Sequence, residues 1–417
     1  MPATGRETQE PQERRARTDS RRGEGRGRGF RLRALALACL ALLLSGCSLR
    51  PIKVGAVLPL TGAWAPYGCS LRDGILLAQD KVNREGGIQG RRLEVVILDS
   101  RSQPQTAAEE FQRLVKDERV AVVVGGITSG EALAMSNLAD RFQRILFSPS
   151  ASSPKLGSAG GWVFRNWPSD EVEGQALADF AAYSLHATRA LMVVEKGPYG
   201  EGIGEVFGRR FASGDRQVER LEYDPGAGAE AGLAEKIRET AHGAQVLFLA
   251  GYGEEVLPLA GRIKASGLNL PIIASSALAG GSLLRQRAAD AEGLIFARPA
   301  FDPSTTDAAV QAFVTGFEAR FGHEPDTYAA HAYDAVNLLA GVMASEGSTA
   351  SDIRRGLAAV RNYEGVAGTT SFDANGGPIQ SIQICTSLKG KVVPLKDVLD
   401  DVLLPLQKRV EEIRFGK

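Results

Sequence analysis

The sequence predicts an α/β protein with two successive lobes, each a mainly parallel sheet flanked by helices. Three observations carry this. Short apolar runs alternate with amphipathic helical stretches from residue 52 onward. The alternation restarts after residue 170. Glycine is abundant at 48 residues and aromatics are sparse at 6%, which suits short elements joined by tight turns. A repeated βαβ order places helices on both faces of a parallel sheet.

The elements follow in order. Ile52–Leu58 is an apolar strand, and Leu71, Ile75, Leu76, Ala78 and Val82 recur at helical spacing over 68–84. Gly86-Gly87 ends that helix. Strand 93–99, helix 106–116, strand 120–124, helix 129–140 and strand 145–148 complete the first series. The second runs helix 171–185, strand 190–194, helix 200–213, strand 217–222, helix 230–241, strand 246–250, helix 254–266 and Ile272-Ile273. Helices 307–321, 326–345 and 350–359 come next, then strands 366–373 and 379–385 around the turn Asp373–Gly377. A last amphipathic helix is expected within 391–417.

The first residues read as an address. Residues 1–29 are rich in Arg and Gly and lack large apolar side chains. Arg31 and Arg33 lead into the apolar run Ala34–Leu44, followed by Ser45-Gly46-Cys47. This is the pattern of a secretory signal over 1–46, too short for a membrane span. Leu44-Ser45-Gly46-Cys47 resembles a bacterial lipobox, which implies lipidation of Cys47 and a membrane-anchored protein in the periplasm or at the cell surface. Cys69 and Cys385 then remain in an oxidising compartment, paired or free.

Composition excludes several classes. Basic and acidic residues balance at 49 each, and removing 1–46 takes out more arginine than acid. No field attracts nucleic acid, so none is expected as a partner. No P-loop, dinucleotide fingerprint, H-E-x-x-H or C-x-x-C occurs. His186, His242, His323 and His331 are scattered. Ser152-Ser153-Pro154-Lys155 fits S-x-x-K in letters, but Pro154 opposes the helix that motif needs. No catalytic residue, metal or cofactor is expected, and the protein is read as a non-enzyme.

Hydroxyl groups instead gather at strand ends. Gly125–Gly130 follows strand 120–124 and includes Ser129, while Ser148–Pro154 follows strand 145–148 and includes Ser150 and Ser152. Carboxyl ends of strands in open α/β sheets are where ligands bind. A helix N-terminus there offers free N–H groups to an anion, although Ser and Thr at such places also serve as plain caps. Trp64 and Tyr67 follow the first strand, Tyr199 follows strand 190–194 and Tyr252 follows strand 246–250. Aromatics at these ends can face one another across a cleft.

The chain over about 51–390 resembles the branched-chain amino-acid-binding branch of the type I periplasmic binding proteins. The matching segments are Val54–Gly62, Glu85–Arg91, Val122–Gly130, Phe147–Ala151, Pro198–Gly200, Leu249–Gly253, Phe301–Pro303, Tyr333–Val336 and Gly365–Gly368. The resemblance implies a two-lobed fold joined by three crossing hinge segments. Lobe 1 comprises 51–169 plus about 298–360, and lobe 2 comprises 170–297 plus about 361–390. It implies a solute in the cleft, contacted by Tyr67, Ser129, Ser150, Ser152, Tyr199, Tyr252 and Ser276. It implies a monomer that captures a small polar solute by hinge closure and delivers it to the permease and ATPase subunits of an ABC importer. Lipoproteins of the same fold that act through protein contacts, as regulators of cell-wall synthesis or as ligand-sensing receptor modules, are the alternative.

One departure bears on the solute. Amino-acid-binding members carry an acid after the strand near 271–274, which pairs with the ligand ammonium. Here the stretch reads Ala274-Ser275-Ser276-Ala277. Glu195 and Glu254 are substitutes, or solvated loop residues. The solute stays open between an amino acid, a carboxylate and an amide.

Overall fold

The computed structural model describes residues 50–226 and 230–398. The expected signal segment, Cys47 and the end of the expected C-terminal helix lie outside the described residues. The chain from Pro51 onward forms its own compact unit. Among the described residues, no helix is long and apolar enough to cross a membrane.

The first sheet contains β1 (Ile52–Leu58), β2 (Leu93–Asp99), β3 (Val122–Gly125), β4 (Ile145–Ser148) and β5 (Val163–Arg165). All pairings are parallel, in the order β2-β1-β3-β4-β5. Helices α1 (Ala65–Arg84), α2 (Pro104–Lys116) and α3 (Ser129–Phe142) connect its strands. β3 and β4 are buried along their whole length, as strands covered on both faces must be.

The chain then leaves this sheet. Helix α4 (Asp170–Asp179) opens the second lobe and ends in a π turn over Phe180–Ser184. β6 (Arg189–Glu195), α5 (Pro198–Phe211), β7 (Gln217–Tyr223), α6 (Glu230–Thr240), β8 (Val246–Ala250), α7 (Gly253–Ala265), β9 (Ile272–Ala274) and β10 (Ile295–Pro299) follow. The parallel part of this sheet runs β7-β6-β8-β9-β10. In chain order this repeats the arrangement of the first sheet.

After β10 the chain returns. Helices α8 (Ala308–Phe321), α9 (Thr327–Glu346) and α10 (Ala350–Ala359) pack with the first lobe. Gly74 permits the close approach of α1 and α9, since a Cβ there would stand 2.2 Å from the Ala329 carbonyl oxygen. The Ser70 hydroxyl bonds Asp326 at the same seam.

The return to the second sheet comes later than residue 361. β11 (Tyr363–Gly365) and β12 (Gly368–Thr370) pair only with each other. Phe372 is buried in the first lobe against Phe147 and Phe164, with ring centroids 6.0 and 5.5 Å away. The Arg165 N–H also donates to the Gly376 carbonyl. Apolar burial thus holds 363–376 against lobe 1.

β13 (Ile382–Leu388) then joins β10 antiparallel, and β14 (Lys391–Pro394) pairs with β13. The start of the expected helix over 391–417 is therefore a strand. Lys389 and Gly390 both have positive φ, 51° and 73°, which is the geometry of a two-residue hairpin turn. Cys385 is buried in the second lobe and Cys69 is half-buried on α1, and both are free thiols.

Candidate functional site

Identical strand orders put a topological switch between β1 and β3 in one lobe and between β6 and β8 in the other. Loops diverge there and leave a crevice at the strand ends. All seven sequence-predicted positions, Tyr67, Ser129, Ser150, Ser152, Tyr199, Tyr252 and Ser276, line one cavity between the lobes. Trp167 and Tyr328 line it as well, and among the described residues no basic side chain does.

The lobe 1 wall is built from the start of α3 and the loop after β4. Thr128 caps α3, its hydroxyl accepting from the Glu131 N–H at 3.1 Å while Glu131 accepts from the Thr128 N–H at 3.4 Å. The cap is Thr128, which leaves Ser129 to other work. Its hydroxyl accepts from the Ser153 N–H at 3.3 Å. The Ser129 N–H faces the Tyr252 hydroxyl of the opposite lobe. Ser150 donates to the Ile127 carbonyl at 2.9 Å, tying the two loops together.

Aromatic rings close the cleft. Tyr252 stands 4.3 Å from Trp64 and 4.8 Å from Tyr199, centroid to centroid. Tyr328 stacks on Trp167 at 4.8 Å and meets Tyr67 edge-on at 5.0 Å. The Tyr67 hydroxyl donates to the Ala277 carbonyl and accepts from the Gly253 N–H, both at 3.2 Å. Tyr199 accepts from the Ala277 N–H at 3.3 Å. The enclosed cavity is only about 20 Å³. That is room for roughly one water, so entry of a solute requires the lobes to part.

Carboxyl groups back this wall. Glu173 of α4 is buried and accepts from both the N–H and the hydroxyl of Ser276, at 2.6 and 2.5 Å. Asp170, one helical turn earlier, is fully buried, and its oxygens have no hydrogen-bond partner. Burial, then mutual repulsion at Glu173, raises both carboxyls far above the ordinary range, against the pull of Ser152 and Arg165 on Asp170. The segment after β9 carries no acid of its own but is bonded from behind by one on α4. Neither residue is in the sequence-derived set, because nothing in a helix start at 170 signals contact with residue 276.

The two acids considered as substitutes are both withdrawn from water. Glu195 ends β6, is 4% exposed, and accepts from the Tyr252 N–H at 3.0 Å. Burial pushes it up to about 7. The Glu254 oxygens are buried without a hydrogen-bond partner, and burial pushes that carboxyl up to about 7 also. Among the described residues, no group of His, Cys, Asp and Glu is arranged to hold a metal ion.

Known proteins share this architecture. The family described as "Periplasmic binding protein" matches residues 51–391. The leucine-, isoleucine-, valine-, threonine- and alanine-binding protein of Pseudomonas aeruginosa is 27% identical over 334 residues, covering 78% of this chain and 86% of that protein. The branched-chain amino acid transporter substrate binding protein LivJ of Streptococcus pneumoniae, solved with isoleucine, is 27% identical with a TM-score of 0.75, covering 82% of this chain and 97% of that one. A solute binding protein of an ABC transporter from R. palustris, solved with benzoate, is 23% identical with a TM-score of 0.74 and shares the fold, covering 83% of this chain and 95% of that one.

Proposed function

The chain belongs to the periplasmic binding protein family, and from that premise we propose that it captures a small polar solute for an ABC importer. It is held outside the cytoplasm by a lipid on Cys47 and acts as a monomer without covalent chemistry. The observation that carries this reading is the cavity between the lobes, lined from both sides by serine hydroxyls and tyrosine rings at two matching switch points.

Each part of the site has a role in this reading. The start of α3 and the hydroxyls of Ser129, Ser150 and Ser152 receive the carboxylate of the solute. Unpaired N–H groups and the helix dipole favour an anion there. Tyr252 withdraws from the Ser129 N–H when the solute takes its place. Tyr67 and Tyr199 hold the Ser276-Ala277 segment, so contacts from both lobes favour the closed state. The closed protein is then presented to the permease and its ATPases. The alanine- and isoleucine-binding relatives make an amino acid the first class to test.

The test is thermal shift of residues 48–417, stripped of carried-over ligand, against amino acids, their deaminated acids, aromatic acids and short amides. A solute at about 100-fold above its Kd adds roughly 2.7 kcal/mol of stability, a clear rise in midpoint. No shift across the panel moves the protein to the protein-contact class. Lipidation is checked separately, by mass spectrometry of the membrane-bound form with and without Cys47→Ala.

A further inference from the structure

We propose that Glu173, presented to the cavity through Ser276, anchors a protonated amine of the solute, and that the Asp170–Glu173 pair releases a proton when that amine arrives. This rests on the solute-binding reading and narrows its substrate class.

The geometry carries the argument. Two carboxyls lie one turn apart on α4 and are almost wholly withdrawn from water, at 0% and 2% exposure. Glu173 is spent on one cavity-lining residue, Ser276, through two short bonds. The Asp170 carboxyl oxygens have no hydrogen-bond partner, while its N–H donates to the carbonyl of Ser152, which lines the opposite wall, at 2.9 Å. Among the described residues the cavity lining offers no cation, and hydroxyls and aromatic rings make up most of it. Aromatic faces and buried carboxyls share one preference, for a compact positive charge. A deaminated acid leaves the pair with nothing to neutralise.

Every element packed on α4 adds to the balance. From β5, Arg165 attracts Asp170, but its guanidinium donates to the Ser153 carbonyl at 2.8 Å and also faces Asp373. From α5 and α9, Tyr199 and Tyr328 present neutral phenols. From β10, Arg298 is turned to Gln383 of β13 at 3.0 Å. Arg209 and Arg210 of α5 bind the exposed acids Glu171 and Asp179 on the outer face of α4. Among the described residues no cation therefore reaches Glu173, and two negative charges cannot share so dry a place. The unliganded pair keeps one proton, on one of its two carboxyls. An ammonium brings one positive charge, that proton leaves to solvent, and the net charge of the pocket is unchanged.

The experiment is titration calorimetry with the stripped protein, residues 48–417. The probes are L-leucine, L-isoleucine and L-phenylalanine, each beside its deaminated acid. Measurements at pH 6, 7 and 8 use phosphate and Tris, whose different heats of ionisation report protons released. The expected result is preference for the amino acid, up to one proton released, and tightening that approaches tenfold per pH unit. Glu173→Gln keeps the shape and an acceptor for the Ser276 N–H. It should fold as the parent does, lose proton release and the pH slope, and bind the amino acid at least tenfold more weakly.

Three results overturn the inference. A deaminated acid that binds as tightly as its amino acid removes the amine while leaving the solute-binding reading intact. An amino acid that binds without proton release, and equally well to Glu173→Gln, removes the role of the pair. Silence from every probe in calorimetry and thermal shift removes both readings.

Discussion

The Tyr67 hydroxyl donates to the Ala277 carbonyl at 3.2 Å, joining residues that are 210 positions apart in the chain and belong to opposite lobes. The same hydroxyl accepts from the Gly253 N–H, so one oxygen holds two segments of lobe 2 against α1. Tyr67→Phe removes both bonds and leaves a buried N–H and carbonyl without a partner. The expected cost falls on the closed state, at about 1–3 kcal/mol. Solute affinity in calorimetry should fall by about tenfold or more. Unchanged affinity would show that the bond is incidental to closure.

Thr128→Ala opens the capping box at the start of α3. Loss of a cap costs about 1 kcal/mol. It should appear as a lower urea midpoint with unchanged m-value. Ser129→Ala, at the next position, leaves the cap intact but orphans the buried Ser153 N–H, at a cost of about 1–3 kcal/mol. It should also weaken solute binding, which Thr128→Ala should not. Equal solute affinity in both variants would return Ser129 to a structural role.

Stability without solute should fall as pH rises. The carboxyls of Glu195, Glu254 and Asp334 are each raised to about 7, burial being the chief cause. An acid raised on folding contributes fully below its unfolded value near 4.5, or 3.8 for Asp334, and that contribution is lost as pH passes through 7. For Glu195 the change is on the order of 3 kcal/mol. Midpoints measured between pH 5 and 8 should decline, and Glu195→Gln should flatten the slope while still accepting from the Tyr252 N–H. A slope that Glu195→Gln leaves untouched would mean the carboxyl finds water in the native state.

Gly74→Ala tests the seam of α1 and α9. The added methyl meets the Ala329 carbonyl oxygen at 2.2 Å, which is backbone and cannot turn aside. Overpacking of this kind costs about 1–3 kcal/mol. Calorimetric unfolding should show a clear fall in Tm, and none would mean that the helices slide apart freely.

Legibility in the sequence followed the strength of local pattern. Strand 246–250 is a run of apolar residues, and helix α9 carries an unbroken helical repeat, so both are plain. β10 reads Ile-Phe-Ala-Arg-Pro, too short an apolar run to signal a strand. β14 is likewise four residues, and its charge pattern merges with the helical repeat that follows. Ser129, Ser150 and Tyr252 were visible because strand ends are marked by glycine and serine. Trp167 and Tyr328 were not, since each lies at an element boundary without a motif. Glu173 and Ser276 are 103 positions apart, and only the packing of α4 beneath the end of β9 brings them together.

The two thiols differ in a way that makes the molecule report on itself. Cys385 is buried in the second sheet, with its thiol pushed up to about 11 by burial, so it resists alkylation at neutral pH. Cys69 is partly open to water on α1, two residues beyond Tyr67. In protein beginning after Cys47, a maleimide dye should therefore attach at one place, behind the latch between the lobes. Its brightness would then follow opening and shutting in real time, turning the native chain into an optical sensor without any engineered cysteine.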